Sequence, residues 1–218
     1  MSPSRIGGLA GLLFALGVFV QNAFLLQGNP LPGAPLPEIL AFYQGSGGRV
    51  GAAVGWVAVN VPLLLLFGAA VARRIEGGPA DGGAAGLWAR VGQGGVLLLA
   101  AAFGCTTWLQ AVLAARAEAL AAAGQLQLVW DLHSAAFSGS GLALSVTVGA
   151  FSAGAWSAGF VPRWTCVLGL LGALCLLVSG LLAVGTVGGG PGVFFQLGGF
   201  VTWLVWLVTG GVRLWREG

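Results

Sequence analysis

Residues 50–72 read VGAAVGWVAVNVPLLLLFGAAVA, a run of 23 residues without a charged side chain, and Arg73 and Arg74 follow it directly. A helix rises about 1.5 Å per residue, so about 20 apolar residues cross the hydrocarbon core of a bilayer, which is about 30 Å thick. Buried helices of soluble domains have shorter apolar runs, of about 10–14 residues. The stretch therefore predicts a transmembrane helix.

The rest of the chain repeats this pattern. Of its 218 residues, 57% are apolar and only 7% are charged, whereas a soluble domain usually carries about 25% charged residues. The length leaves room for six spans joined by short loops, which we predict at 6–26, 50–72, 87–115, 131–158, 165–187 and 193–214. The sequence thus predicts an all-α membrane protein with a single domain, residues 1–218, folded as a compact bundle of six transmembrane helices.

A proline-rich segment, residues 29–49, separates the first two spans. Four prolines in its first half exclude a long helix there, while Pro37 and Glu38 are typical of the first turn of a helix. We therefore predict a short helix near 38–44 that lies at the outer surface of the membrane and ends at the glycine-rich residues 45–48.

The nine arginines are distributed unequally between the two sides of the predicted bundle. If the N-terminus is cytoplasmic, only Arg49 and Arg116 lie outside. The seven on the cytoplasmic side are Arg5, Arg73, Arg74, Arg90, Arg163, Arg213 and Arg216. Cytoplasmic loops are enriched in arginine and lysine, and six spans require both termini on the same side. We therefore predict that both termini are cytoplasmic.

Polar side chains inside the spans concentrate in the predicted outer half, at a similar height in five of the six helices. Each such group needs a partner or contact with water. Two interpretations remain open: hydrogen bonds that fix the register of the helices, or a pocket that opens to the outside and binds a ligand. The candidate ligand-binding residues, together with neighbouring aromatic ones, are Gln21, Asn22, Asn60, Trp108, Gln110, Trp130, Asp131, His133, Phe137 and Gln196. Phe24 is a further candidate for an aromatic wall.

Asp131 and His133 are an acid and an imidazole at one membrane boundary. Because they are two positions apart, a helix directs them to different sides. We interpret Asp131 as the N-cap of the fourth span, and His133 either as a buried hydrogen-bonding residue or as a proton-responsive or ligand-binding one. A single histidine cannot supply a bis-histidine haem site, and the three cysteines lack the spacing of a zinc site. We expect no metal and no cofactor.

Motifs for the common catalytic sites are missing from the sequence, which contains no GxSxG, Walker loop or HExxH. We therefore predict no catalytic residue and do not expect an enzyme. The dispersed arginines form no basic stripe, so nucleic acid is not an expected partner. The leading hypothesis is a protein that binds a small or lipophilic molecule in an outer-facing polar cavity within the lipid bilayer. Two alternatives stay open.

The first alternative is a small-molecule transporter or channel. Transporters bind substrate between helices that are interrupted near the midplane, and the segment Asn60–Pro62 is the candidate for such an interruption, since Pro62 removes a backbone donor. We also expect Pro62 to kink the second helix and Asn60 to face the interior, where it finds a partner. The second alternative is an accessory subunit that packs against another membrane protein or a second copy.

Three short motifs carry a resemblance to a known family. They are residues 37–43 (PEILAFY) followed by 48–50 (GRV), residues 128–137 (LVWDLHSAAF) and residues 159–164 (GFVPRW). Together they resemble an uncharacterised family of small six-helix integral membrane proteins of bacteria. The resemblance implies the plasma membrane of a bacterium as the location and directs attention to Trp130, Asp131, His133 and Phe137. It implies no activity or ligand.

Overall fold

The computed structural model describes residues 1–78 and 83–218, so residues 79–82, which belong to the predicted loop after the second span, lie outside the described part. The described helices are α1 (Pro3–Val20), α2 (Leu36–Glu76), α3 (Gly83–Ala122), α4 (Leu126–Ala158), α5 (Arg163–Leu181), α6 (Ala183–Val187) and α7 (Gly192–Glu217). One turn of π-helix, Gln21–Leu25, continues α1. Six of these segments are long and apolar enough to cross a membrane, as the sequence predicts, and they indicate a multi-pass membrane protein.

The six long helices close into a ring. Each packs against the long helices before and after it in the chain, and α7 packs against α1. Both chain termini lie at one end of this ring, where the backbone of Gly8 in α1 meets that of Trp215 in α7 and Arg74 of α2 forms an ion pair with Glu217, 2.7 Å from nitrogen to oxygen. We call this end the terminal end. The ring encloses a cavity towards its opposite end, which we call the cavity end.

Two helices are longer than a bilayer requires. α2 has 41 residues and α3 has 40, which corresponds to about 60 Å each, twice the thickness of the hydrocarbon core. At the cavity end, the first turns of α2, the last turns of α3 and the start of α4 enclose a second hydrophobic core. It consists of Ile39, Tyr43, Val50, Leu113, Ala117, Leu126 and Trp130. The Ala-rich end of α3 is held in place by this core.

The separate helix predicted near 38–44 is the first part of α2, and the break predicted at 45–48 is wrong. The glycine-rich residues 45–48 stay helical because they pack against α3. Ser46 is buried and accepts a hydrogen bond of 2.7 Å from the Arg49 guanidinium, while Gly47 lies beside the carbonyl oxygen of Ala114 in α3. Small side chains here let two helices approach each other.

Other helix ends also differ from the predicted spans. α4 begins at Leu126, five residues before the predicted start, and Gly83 is the first residue of α3 instead of part of the loop. The predicted fifth span ends early, at Leu181, and its last residues form the short α6. α3 continues beyond the predicted end at residue 115 to Ala122, and Gly124 after it adopts a φ of 69°, which residues other than glycine rarely tolerate.

Glycines allow the closest approaches between helices in the ring. A Cβ atom at Gly8 would lie 2.6 Å from the backbone nitrogen of Trp215, and one at Gly92 in α3 would overlap the ring of Phe151 in α4. Gly94, two residues further along α3, is exposed, and a Cβ there would meet no atom within 4 Å. The two α3 glycines therefore differ in packing while sharing one helix.

This difference predicts opposite effects of the same substitution. Gly92→Ala should lower the free energy of unfolding by about 1–3 kcal/mol, because the added methyl group overpacks the contact with Phe151. Gly94→Ala should leave it unchanged or raise it, since alanine favours the helix over glycine by about 1 kcal/mol. Thermal unfolding of the purified protein in detergent, followed by circular dichroism, measures both. Equal melting temperatures for the two variants would contradict the helix packing described above.

Candidate functional site

A cavity of about 340 Å³ lies inside the ring, towards the cavity end, and all six long helices contribute to its wall. This volume falls in the range of pockets that hold small molecules, about 300–1,000 Å³. The polar part of the wall consists of Gln21, Asn22, Asn29, Asn60, Thr106, Thr107, Gln110, His133, Ser134, Ser140 and Gln196. Within the described part of the chain, no charged side chain lines the cavity.

Helical periodicity explains how separate segments supply one wall. On α3 the lining residues are Phe103, Thr106, Thr107 and Gln110, and the spacing i, i+3, i+4, i+7 places them on one face of the helix. α7 follows the same spacing from Val193 to Phe200. α3 and α7 therefore each contribute a single stripe that combines amide or hydroxyl groups with an aromatic ring.

Aromatic side chains close the cavity towards the terminal end. The rings of Phe14 and Trp203 meet edge to face with centroids 5.4 Å apart, and Trp206 stacks on Phe151 at 6.0 Å. Both tryptophans are at most 2% exposed. The cavity thus has an apolar floor, and below the floor the ring is filled by packed side chains.

The loop between α1 and α2 forms a roof over the cavity, a feature that the sequence analysis missed. Leu26, Asn29 and residues 30–32 line the cavity from this loop. The loop rests on the segment between α6 and α7 through two glycines with positive φ, Gly33 at 80° and Gly189 at 85°. A Cβ at Gly33 would lie 2.7 Å from the Gly189 nitrogen. In the sequence, the prolines of this loop indicate only that it does not form a long helix.

Asn60 links α2 to α1 within the wall. Its Nδ2 donates to Oε1 of Gln21 at 3.2 Å, and Gln21 Nε2 donates to the carbonyl oxygen of Ala53 at 3.2 Å. Asn60 is 5% exposed, so the prediction that it faces the interior and finds a partner is confirmed. Gly17 leaves the necessary space, because a Cβ there would lie 2.5 Å from Asn60 Oδ1.

The carbonyl oxygen of Phe137 joins α4 to α7. It accepts a hydrogen bond of 2.9 Å from Gln196 Nε2 and one of 2.6 Å from the hydroxyl group of Ser140. Gly141 allows Gln196 to reach this oxygen, because a Cβ at position 141 would already touch the Gln196 side chain at 3.4 Å. Gln196, Gln21 and Asn60 therefore each use one amide N–H within the protein, whereas Asn60 Oδ1 and Gln196 Oε1 have no partner among the described residues.

The wall formed by α3 and α4 keeps unused hydrogen-bonding groups. Among the described residues, the amide group of Gln110 makes no hydrogen bond, although the residue is only 5% exposed. The imidazole of His133 stacks on Trp130, with centroids 5.2 Å apart and planes at 23°. Buried polar atoms without a partner include His133 Nδ1, Trp130 Nε1 and Ser134 Oγ. Such groups are costly unless something bonds to them.

Eight of the ten candidate residues meet at this cavity. They are Gln21, Asn22, Asn60, Gln110, Trp130, His133, Phe137 and Gln196. Trp108 does not line it, since it lies on the outward face of α3 and is 71% exposed. Phe24 also faces outwards.

Asp131 lies away from the cavity wall and accepts a hydrogen bond of 2.8 Å from the side chain of Gln127. The prediction that Asp131 is the N-cap of its helix is wrong, because α4 already begins at Leu126. As predicted, Asp131 and His133 point to different sides of the helix, since His133 is buried and lines the cavity.

No protein-family model, curated protein or solved structure matches the chain. The resemblance of the three motifs to a family of bacterial membrane proteins therefore stays a prediction.

The hydrogen bond between Asn60 and Gln21 predicts an energetic coupling between α1 and α2. In a double-mutant cycle, Gln21→Ala and Asn60→Ala should couple by about 0.6 kcal/mol, and by no more than about 1.7 kcal/mol, the range for hydrogen bonds between transmembrane helices. Asn60→Ala combined with Gln93→Ala is the control, because Gln93 is exposed on α3 and its effect should be additive. Unfolding in mixed micelles measures these energies. Additive effects of the first pair would contradict the bond.

Proposed function

We propose that this protein binds a small lipophilic molecule in the cavity, in the outer half of the plasma membrane of a bacterium. The observation that carries the proposal is the composition of the cavity, which combines an apolar floor with amide, hydroxyl and imidazole groups from several helices. Binding sites for small molecules usually have apolar walls and a few oriented polar groups. Interhelical hydrogen bonds alone would use the polar groups of the wall, yet His133 Nδ1, Asn60 Oδ1 and Gln196 Oε1 have no protein partner among the described residues.

The arginine distribution supports an outward-facing cavity. Seven arginines belong to segments at the terminal end, whereas Arg49 and Arg116 lie towards the cavity end. Since the cytoplasmic side of membrane proteins is enriched in arginine and lysine, the terminal end is assigned to the cytoplasm. The cavity then lies at the height of the outer leaflet.

Two observations favour binding over transport. α2 runs without interruption through Asn60 and Pro62, at the position where a transporter would have an interrupted helix. The aromatic side chains around Trp203 and Trp206 fill the ring below the cavity, so the wall is continuous on the cytoplasmic side. A molecule in the cavity would therefore enter and leave on the same side of the membrane.

The proposal predicts that the purified protein carries a small molecule that is lost when the cavity is filled. Gly141→Phe directs a ring from α4 towards Gln196 and should remove the molecule, as measured by organic extraction and mass spectrometry. Gly139→Phe is the matched control, because Gly139 is exposed on the same helix and a Cβ there meets no atom within 4 Å. This control should retain the molecule at the level of the unmodified protein.

A second cavity-filling variant tests the proposal if the first does not fold. Thr107→Phe narrows the cavity from α3, and both filling variants are compared with the control by circular dichroism. Loss of the molecule in either folded filling variant supports the proposal. An extract of the unmodified protein without any small molecule, or equal amounts in the filled and control variants, would refute it.

The orientation predicts which side of the membrane each end faces. In a protein whose three native cysteines are replaced, Gln27→Cys and Gln125→Cys, both exposed at the cavity end, should react with a membrane-impermeant thiol reagent in intact cells. Ser157→Cys, exposed at the terminal end, should react only after the cells are permeabilised, because this end faces the cytoplasm. The reverse labelling pattern would invert the assignment.

A further inference from the structure

The chemistry of the cavity wall restricts the charge of a bound molecule. Within the described residues the wall contains no arginine, lysine, aspartate or glutamate. Asp131, the acid nearest in sequence to the lining residues of α4, is bonded to Gln127 away from the wall. A phosphate, carboxylate or ammonium group would therefore lose its hydration without gaining a counter-charge, which is strongly unfavourable. The cavity suits an uncharged molecule.

The hydrogen-bonding groups also differ between the two sides of the cavity. On α1, α2 and α7, Gln21, Asn60 and Gln196 each donate one amide N–H to an oxygen atom of the protein itself, and the unpartnered atoms there are the oxygens Asn60 Oδ1 and Gln196 Oε1. On α3 and α4, Gln110 lines the cavity without a hydrogen bond to another described residue, and His133 Nδ1 has no partner. An amide NH₂ group and a neutral imidazole both offer donors. Acceptor oxygens on a bound molecule would satisfy the N–H donors on this side.

The exposure of the lining residues shows where the cavity approaches the outside. Three of its lining residues are exposed: Asn22 at the end of α1, Leu31 in the roof, and Leu197 in the second turn of α7. Leu197 is 49% exposed, and its neighbours on the outer surface of α7, Phe194 and Val201, are 70% and 58% exposed. Large apolar side chains on the outside of a transmembrane helix face lipid chains. This opening therefore faces the bilayer.

We propose that the cavity takes an uncharged, membrane-dissolved amphiphile whose head group carries acceptor oxygens, and that the molecule enters sideways from the outer leaflet between α1 and α7. The proposal rests on the proposed function and gives it a chemical class. The head group lies against Gln110 and His133, and the apolar remainder extends past Leu197 into the lipid. Diacylglycerols and isoprenoid quinones both have such uncharged, oxygen-bearing heads.

Photolabelling in lipid vesicles tests the class. One probe is a diacylglycerol with a diazirine on an acyl chain, and the other is phosphatidylglycerol with the same modified chain and an anionic head. The diacylglycerol should label peptides of α3 and α4 that line the cavity, and phosphatidylglycerol should label only lipid-facing surfaces. Unlabelled ubiquinone-2 or unlabelled dioleoylglycerol, added separately, distinguishes the two sources, since the better fitting compound competes at lower concentration.

Matched variants test the hydrogen bond and the route. Gln110→Leu should reduce cavity labelling by the diacylglycerol about 2- to 10-fold, the expected range for one hydrogen bond, whereas Gln93→Leu, on the exposed part of the same helix, should not. Leu197→Trp should slow the labelling by obstructing the opening. Val201→Trp, one turn further along the outer surface of α7, should leave the rate unchanged.

The outcomes separate this inference from the proposed function. If phosphatidylglycerol labels the cavity as well as the diacylglycerol, or if neither neutral compound labels or competes while the purified protein still carries a molecule that Gly141→Phe removes, the chemical class is wrong and binding stands. If cavity labelling is unchanged in both Gln110→Leu and Leu197→Trp, the assigned head-group contact and route are wrong. If no molecule co-purifies and no probe labels the cavity, both proposals fail.

Discussion

The structure depends on one constraint: in a bilayer, a polar group must find its partner inside the protein. The two halves of the ring meet this constraint differently. Towards the terminal end, glycines bring helix backbones together and large aromatic rings fill the centre, so few side chains need hydrogen bonds. Towards the cavity end, side-chain amides bond to neighbouring helices, as Asn60 does to Gln21 and Gln196 to the Phe137 carbonyl oxygen.

This division explains why the cavity lies where it does. Amide side chains that reach across to a neighbouring helix hold the helices around a space, whereas a glycine removes the space altogether. Gly17 and Gly141 allow close approach and hydrogen bonding together. Gly17 leaves room for the amide side chain of Asn60, and Gly141 leaves room for that of Gln196. The polar wall and the bonds that hold the ring together are therefore largely the same groups. Among the described residues, the groups of the wall that the fold does not use include His133 Nδ1 and Ser134 Oγ on α4, Asn60 Oδ1 on α2 and Gln196 Oε1 on α7.

The sequence predicted the six helices and the inward direction of Asn60, because both follow from strong local rules: apolar length for the helices and the cost of an unpaired amide for Asn60. The prediction from sequence was wrong where tertiary packing determines the local structure. Residues 45–48 look like a helix break in isolation, but contact with α3 keeps them helical. The role of Asp131 depended on where α4 begins, and helix ends are set by packing in the second core. The roof is a contact between two distant loops, which one sequence does not reveal.

The unequal helix lengths have a consequence for how the molecule sits in membranes of different thickness. α2 and α3 extend far beyond about 30 Å, and the exposed large apolar side chains of α3 run from Leu87 to Val112, a length of about 38 Å, so α3 can match a thin or a thick bilayer. α5, with 19 residues or about 28 Å, has no such reserve. A thicker bilayer would have to thin beside α5. Hydrophobic mismatch would therefore act on one side of the ring, the side where Leu197 faces the lipid.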